Sequence, residues 1–317
     1  MITIAGLGSS GAYLLRRLSQ DGFGVTGYDP KPDSYYIPCG YALKFQELAK
    51  ILANVGMEAD GYVLSMGKEI TIGGESTGDF RFNLTGLCTV DKNLLEKDLV
   101  SGLRRERRKA PSSSDMLIDA TGVSRYYLGP ARDDFAMYAR EVVTVRSTHQ
   151  DFYMSYFPSG KGYYWEFPIG DRFHVGVGTS DPEYFRMLPA ERERVVGRKI
   201  RLKPLLDQAA RGNVIGIGEA IGTVSPITGE GIIPSMKSAE ILYQCLRNHG
   251  EIERVVENYL CRIREEFSRY PRLFELLQRF RSGRKGIGNI RFAREAIHDL
   301  RGFGIDFRLW KVASSLI

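Results

Sequence analysis

The period of apolar and polar positions changes several times along the chain, and each change marks an element. ITIA (2–5) is a short apolar run closed by glycines, which reads as a buried strand. AYLLRRLSQ then repeats its apolar residues at helical spacing, with Gly22 just beyond. GVTGYD reads as a second strand ending in Asp29. LLEKDLVSGLRRERRK (94–109) predicts a helix, and MLIDATG (116–122) a strand running into Asp-Ala-Thr-Gly. From 151 the period drops to two. Tyr163, Trp165 and Phe167 then share one strand face, and Tyr164 and Glu166 the other. Turns at 159–162 and 169–172 join three antiparallel strands, 151–158, 163–168 and 173–178. The third carries Gly176 and Gly178 on one face. Glycine weakens a strand and marks a place where a ligand or another backbone comes close, or a core that merely tolerates it. NVIGIGEAIGTVSPITGEGIIPSMKSAEILYQCL (213–246) gives a last strand, a glycine-rich run and a helix.

Composition narrows the class. The chain has 317 residues and 43% hydrophobic content, enough for a sizeable core. No apolar run approaches the ~20 residues of a membrane span. Because the chain opens directly on a strand and its turn, no secretory leader is expected. Cys39, Cys88, Cys245 and Cys261 stand far apart without a C-x-x-C pair, which argues against a zinc site or a disulfide framework and for a reducing, cytoplasmic setting. The net charge of +6 is uneven: residues 262–311 hold 13 basic and 6 acidic side chains. No nucleic-acid partner is expected.

Candidate chemistry begins at the first turn. Gly6, Gly8 and Gly11 form G-x-G-x-x-G between a strand and a helix, and Asp29 follows eighteen residues after Gly11. This is the dinucleotide-binding fingerprint in its proper setting. Gly6 permits the tight turn, Gly8 lets backbone approach a pyrophosphate, and Gly11 lets helix and strand pack. The helix N-terminus, from Ser10, offers N–H groups to phosphate, and Asp29 can accept from a ribose hydroxyl. The two later motifs point to FAD. Ala120 and Gly122 of D-A-T-G support the adenosine half. Gly218 is a further cofactor-binding candidate, and Glu219 beside it can reach the ribityl and pyrophosphate region. Pro226, Gly229, Gly231 and Ile232 bring bare backbone and a helix N-terminus to the flavin ring, where the helix dipole favours negative charge.

Five patches, in order over residues 1–245, resemble the geranylgeranyl reductase family of the p-hydroxybenzoate hydroxylase-type flavoproteins. They are GLGSSG with Asp29, YIPCGYAL (36–43), DATG (119–122), Y-x-W-x-F-P-x7-G-x-G (163–178) and GEAIGTVSPITGEGI (218–232). The resemblance implies that Phe157, Tyr163, Trp165 and Phe167 line a long apolar cavity leading to the flavin, with Gly176 and Gly178 leaving room. It also places Cys39 and Gly40 in a loop over the flavin. There Cys39 positions the alkene or relays a proton, with Tyr163 as a second candidate. A cysteine is otherwise most often a small buried apolar residue. Two departures stand out. Only Ala110–Asp115 intervene before MLIDATG, where the family has a longer β-meander, and Glu219 stands where aspartate is common.

The fold class expected is α/β: a Rossmann-like FAD-binding domain (1–58, 89–130, 204–248) interleaved with an antiparallel-sheet substrate domain (59–88, 131–203), followed by a helical tail (249–317). The function expected is reduction of isoprenoid double bonds, on a prenylated membrane lipid. An aromatic hydroxylase of the same fold and a non-catalytic flavin- or lipid-binding protein are the alternatives. The electron donor is left open between a nicotinamide, a deazaflavin and a ferredoxin, the last of these an electron-donor protein. In the tail, Leu273, Phe274, Leu276, Leu277 and Phe280 make an apolar stripe beside Arg279, Arg281, Arg284 and Lys285, with Trp310 beyond. This reads either as a peripheral membrane contact or as a helix docked on the protein's own core.

Overall fold

A computed structural model of the chain describes residues 1–32, 35–74, 78–131, 137–190, 192, 194–282 and 288–307. Its centre is a six-stranded sheet in the order Ala210–Arg211, Val214–Gly216, Met116–Asp119, Ile2–Ala5, Val25–Tyr28, Arg105–Glu106. Ile2–Ala5 pairs in parallel with Val25–Tyr28 on one side and Met116–Asp119 on the other. The helices Ser9–Gln20 and Ile232–Asn248 pack together beside it, because Leu14, Leu15, Leu18, Met236 and Leu242 present one apolar stripe each to Ile4, Ile118 and Ile215. The apolar runs ITIA and MLID are short and unbroken because a parallel sheet is covered on both faces.

The second layer is a seven-stranded sheet in the order Arg194–Ile200, Met137–Thr144, Arg172–Thr179, Gly162–Ile169, Phe152–Tyr156, Glu69–Gly74, Phe80–Asn83. The three strands read from period-two alternation are adjacent and antiparallel, with Trp165 opposite Met154 on one side and Gly176 on the other. One face, carrying Met154, Trp165 and Phe167, closes a core with Ile70, Phe82, Leu273 and Ile305. The opposite face, carrying Val142, Tyr164, Val175 and Val177, packs on Leu188. A small third sheet, Ala42–Lys44, Leu87–Val90 and Val63–Met66, ties the Cys39 segment to the strands that follow it.

One expectation changes, and the apolar stripe of the tail takes one of its two readings. The helix read over 94–109 is Lys92–Leu99. It stops because Gly102 takes φ +71°, and the basic run beyond it enters the sheet edge as Arg105–Glu106, parallel to Val25–Tyr28. From there the chain reaches Met116 without another strand. In the tail, Ile252–Glu266, Tyr270–Arg281 and Gly288–Phe303 are helical. The apolar stripe of Tyr270–Arg281 turns inward: Leu273 is buried, and Phe274 and Leu277 pack on Met137, Leu202 and Val224. Arg281 hydrogen-bonds Ser180 Oγ at 2.7 Å. Arg284, Lys285 and Trp310 lie outside the described residues.

A candidate flavin site and its aromatic wall

The three glycines of the first turn have three different surroundings. Gly6 adopts φ +92°, and a Cβ there would lie 2.4 Å from the Ala120 carbonyl oxygen. A Cβ on Gly11 would lie 1.9 Å from the Gly6 carbonyl oxygen. Both are packing requirements. A Cβ on Gly8 would meet nothing nearer than Glu96 Oε1 at 3.8 Å. Gly8 therefore faces open space, and it lines two adjoining cavities of about 370 and 600 Å³. It is also the N-cap of the helix Ser9–Gln20, which has neither a side-chain cap nor an acidic residue in its first turn. An uncapped helix N-terminus beside a cavity is an anion cradle of the kind a pyrophosphate needs. Ser10 continues the cavity wall, and a Cβ on Gly218 would strike its hydroxyl oxygen at 2.6 Å.

Asp29 lines the larger cavity and accepts hydrogen bonds from the backbone N–H of Leu7 (2.8 Å) and Lys31 (3.0 Å). A carboxylate with two acceptors per oxygen keeps capacity for a ribose hydroxyl. Asp119 of D-A-T-G is wholly buried and spent on the N–H groups of Thr121, Tyr127 and Leu128, so it shapes the turn, while Ala120 and Gly122 border the cavity. Glu219 also borders it, ion-paired with Arg198 and accepting from the Arg201 N–H at 3.0 Å.

The smaller cavity runs on from Gly8 to Cys39, Tyr163, Trp165, Phe167, Gly229, Gly231 and Ile232. Gly176 and Gly178 do not leave the room that was expected of them. The Trp165 indole fills it, since a Cβ on Gly176 would lie 2.0 Å from the ring and one on Gly178 3.5 Å. The glycines thus lay the indole flat against its neighbouring strand. Its Nε1 is buried without a partner, an unpaired donor at the wall of this cavity. Tyr163 donates to the Thr228 carbonyl at 2.8 Å, and its hydroxyl occupies the space above Gly229, which has φ +70°. Phe157 is corrected. It lies on the opposite sheet face, stacked on Tyr184 at 3.8 Å, and does not border the cavity. Tyr156 pairs with Tyr163, so the next residue points away. Pro226 is buried without bordering the cavity.

Cys39 packs against the parallel-sheet core and borders the cavity. Burial pushes its thiol up, Glu141 adds to this, and Lys92 and Arg198 oppose it. A raised thiol keeps its proton at neutral pH, which suits a donor or an apolar contact and not a thiolate nucleophile. Gly40 sits against Phe167 and Trp165, where a Cβ would lie 3.0 and 3.2 Å from them.

Several residues at this site carry no motif. Lys92 and Glu96 pair at 2.7 Å beside Gly8, and Glu96 accepts from Ser9 Oγ at 2.6 Å. Glu141 and His174 are buried beneath Gly40. Glu230 borders both this cavity and a further one of about 620 Å³ between the tail helices and Lys44. Burial pushes Glu230 up to about 8, and it pushes Asp299, across that second cavity, up to about 6. A charged residue at the centre of a strand, as in MYAREVVT, was the one available signal for Glu141.

No family model matches the chain. Its structure superposes on a geranylgeranyl bacteriochlorophyll reductase-like protein from Thermoplasma acidophilum with a TM-score of 0.73, over 99% of this chain and 95% of that one at 15% identity. PqsL of Pseudomonas aeruginosa, described as a probable FAD-dependent monooxygenase, matches at 0.68 over 93% and 98% at 18% identity. The chain has the fold of the FAD-dependent flavoproteins. In sequence the chain resembles the digeranylgeranylglycerophospholipid reductase of Methanocella arvoryzae, 29% identical over 143 residues. That match spans 39% of this chain and 36% of the relative. An uncharacterized protein of Methanocaldococcus jannaschii matches more widely, at 24% identity over 81% of the chain and 86% of its own length. The open cradle at Gly8, the uncapped helix behind it and the unpaired indole donor at the cavity wall fit a dinucleotide such as FAD. Among the described residues no helix is long and apolar enough to cross a membrane.

Proposed function

We propose that this protein is an FAD-dependent oxidoreductase that saturates isoprenoid double bonds of a prenylated lipid. The observation that carries the proposal is one continuous cavity whose wall passes from the Gly8 cradle to Cys39 and then to the aromatic face of Tyr163, Trp165 and Phe167. Bound FAD, once reduced by an external donor, supplies the hydride equivalent. The aromatic face offers apolar contact to a chain without polar groups. Cys39, which borders this cavity and holds its proton, would supply the proton that the second carbon of the alkene needs. Tyr163 is committed to the Thr228 carbonyl, which favours a role in shaping the wall. The similarity in fold to monooxygenases makes aromatic hydroxylation the second reading.

The test is mass spectrometry of flavin and lipid that co-purify, followed by anaerobic turnover of a geranylgeranylated lipid with chemically reduced enzyme. A mass gain of two hydrogens per double bond is expected. Lipid left unchanged, with oxygen uptake on a small phenol, would replace the reductase reading with the hydroxylase one. A colourless protein unable to take up FAD would replace both. For access to such a lipid we propose contact with a bilayer through the basic excess of residues 262–311. Sedimentation with anionic liposomes should then be strong at low salt and weak near 1 M, where the Debye length falls to about 3 Å. Equal sedimentation at both would remove the electrostatic part.

A further inference from the structure

The turn that carries Cys39 is held in an uncommon shape. Gly40 has φ +63° and Tyr41, a bulky residue, has φ +60°. Two successive left-handed residues persist only where their surroundings determine them, and such strain gathers at functional positions. The determinant lies 101 residues away. Glu141, at the centre of the strand Met137–Thr144, is wholly buried and its Oε2 accepts the Gly40 N–H at 2.5 Å. Its Oε1 accepts the Tyr36 hydroxyl at 2.7 Å. The same hydroxyl lies 2.8 Å from His174 Nε2, and the His174 ring packs edge-on against Tyr41 at 4.5 Å. One carboxylate therefore grips the turn at Gly40 and, through Tyr36 and His174, braces the residues on both sides of it. A wholly buried carboxylate is costly to keep for packing alone.

We propose that Glu141 is a positioning residue that fixes the Cys39–Gly40 turn against the cavity, with Tyr36 and His174 orienting its carboxylate. The inference builds on the reading of Cys39 as a site residue, but its test needs no turnover, so the two fail separately. Burial keeps His174 below its ordinary value, so the brace works with a neutral imidazole.

The test is the rate of Cys39 alkylation by iodoacetamide in the FAD-loaded protein, read by peptide mass spectrometry. Exposed Cys261 serves as the internal reference. Glu141→Gln and Glu141→Leu remove the same charge, but only glutamine keeps an acceptor for the Gly40 N–H. The leucine variant should alkylate Cys39 at least about tenfold faster than the glutamine variant, the scale of one lost hydrogen bond, with Cys261 unchanged in both. Equal Cys39 rates in the two variants would overturn the proposal. If the leucine variant does not fold, hydrogen exchange at the Gly40 amide decides. Protection in both wild type and Glu141→Gln is expected, and exchange as fast as that of an open loop in the wild type refutes the grip.

Discussion

Gly8→Val separates binding from packing more cleanly than any other change at this site. Gly8 has φ −76° and ψ −168°, an extended conformation that valine adopts without strain. A Cβ there meets no protein atom within 3.8 Å, so the folded apoprotein has room for it. Stability should change by less than about 1 kcal/mol, the range of substitutions that disturb no packing. The isopropyl group must instead occupy the cradle. It would push a pyrophosphate off the helix N–H groups, and a hydrogen bond to a charged group is worth about 1.5–3 kcal/mol. Losing one of these weakens FAD binding by about tenfold or more, and losing two by about a hundredfold or more, at tenfold per 1.4 kcal/mol. Fluorescence titration of FAD into apoprotein measures the first quantity and thermal melting of the same apoprotein the second. Gly11→Ala is the control: its Cβ would meet the Gly6 carbonyl at 1.9 Å, so it should destabilise by about 1–3 kcal/mol even without flavin. Wild-type FAD affinity in Gly8→Val would refute the cradle. A large loss of apoprotein stability in that variant would show that Gly8 is a packing glycine like Gly11.

Three further outcomes are expected. Cys39→Ser should keep its flavin while alkene reduction falls at least about tenfold; unchanged turnover returns Cys39 to a packing role. Gly229→Ala should destabilise, because its Cβ would lie 2.1 Å from the Tyr163 hydroxyl. Tyr163→Phe should relieve part of that loss in the double variant, and strict additivity in denaturant melts would contradict the contact. The raised carboxyls Glu230 and Asp299 bind protons more tightly folded than unfolded, so their stabilising effect is present at low pH. It is lost as pH rises through about 6 for Asp299 and about 8 for Glu230. The thermal midpoint should fall over that span, and Glu230→Gln should flatten its upper part; an unaltered profile in the variant would refute the assignment.

Much of the geometry of the first strand–turn–helix–strand unit was legible in the sequence because its determinants are local. Gly6, Gly8, Gly11 and Asp29 lie on one strand–turn–helix–strand unit, so their spacing alone sets where each backbone atom goes. The alternation at 163–167 likewise specified which aromatics share a face, since the side-chain period of a strand is two. The tertiary structure decided the rest. Whether the space beside Gly176 belongs to a ligand or to Trp165 depends on the pairing of two strands, and the register gave it to the indole. Phe157 fell on the far face because the hairpin pairs Tyr156 with Tyr163. The stripe Leu273–Leu277 has the same pattern whether it meets lipid or protein, and only the sheet strand at Met137 beneath it settles that it is covered. Glu141, His174, Arg198 and Glu230 reach the site from four separate segments. No spacing in the chain encodes their meeting, because a contact across a hundred residues is set by how layers pack and not by local conformation.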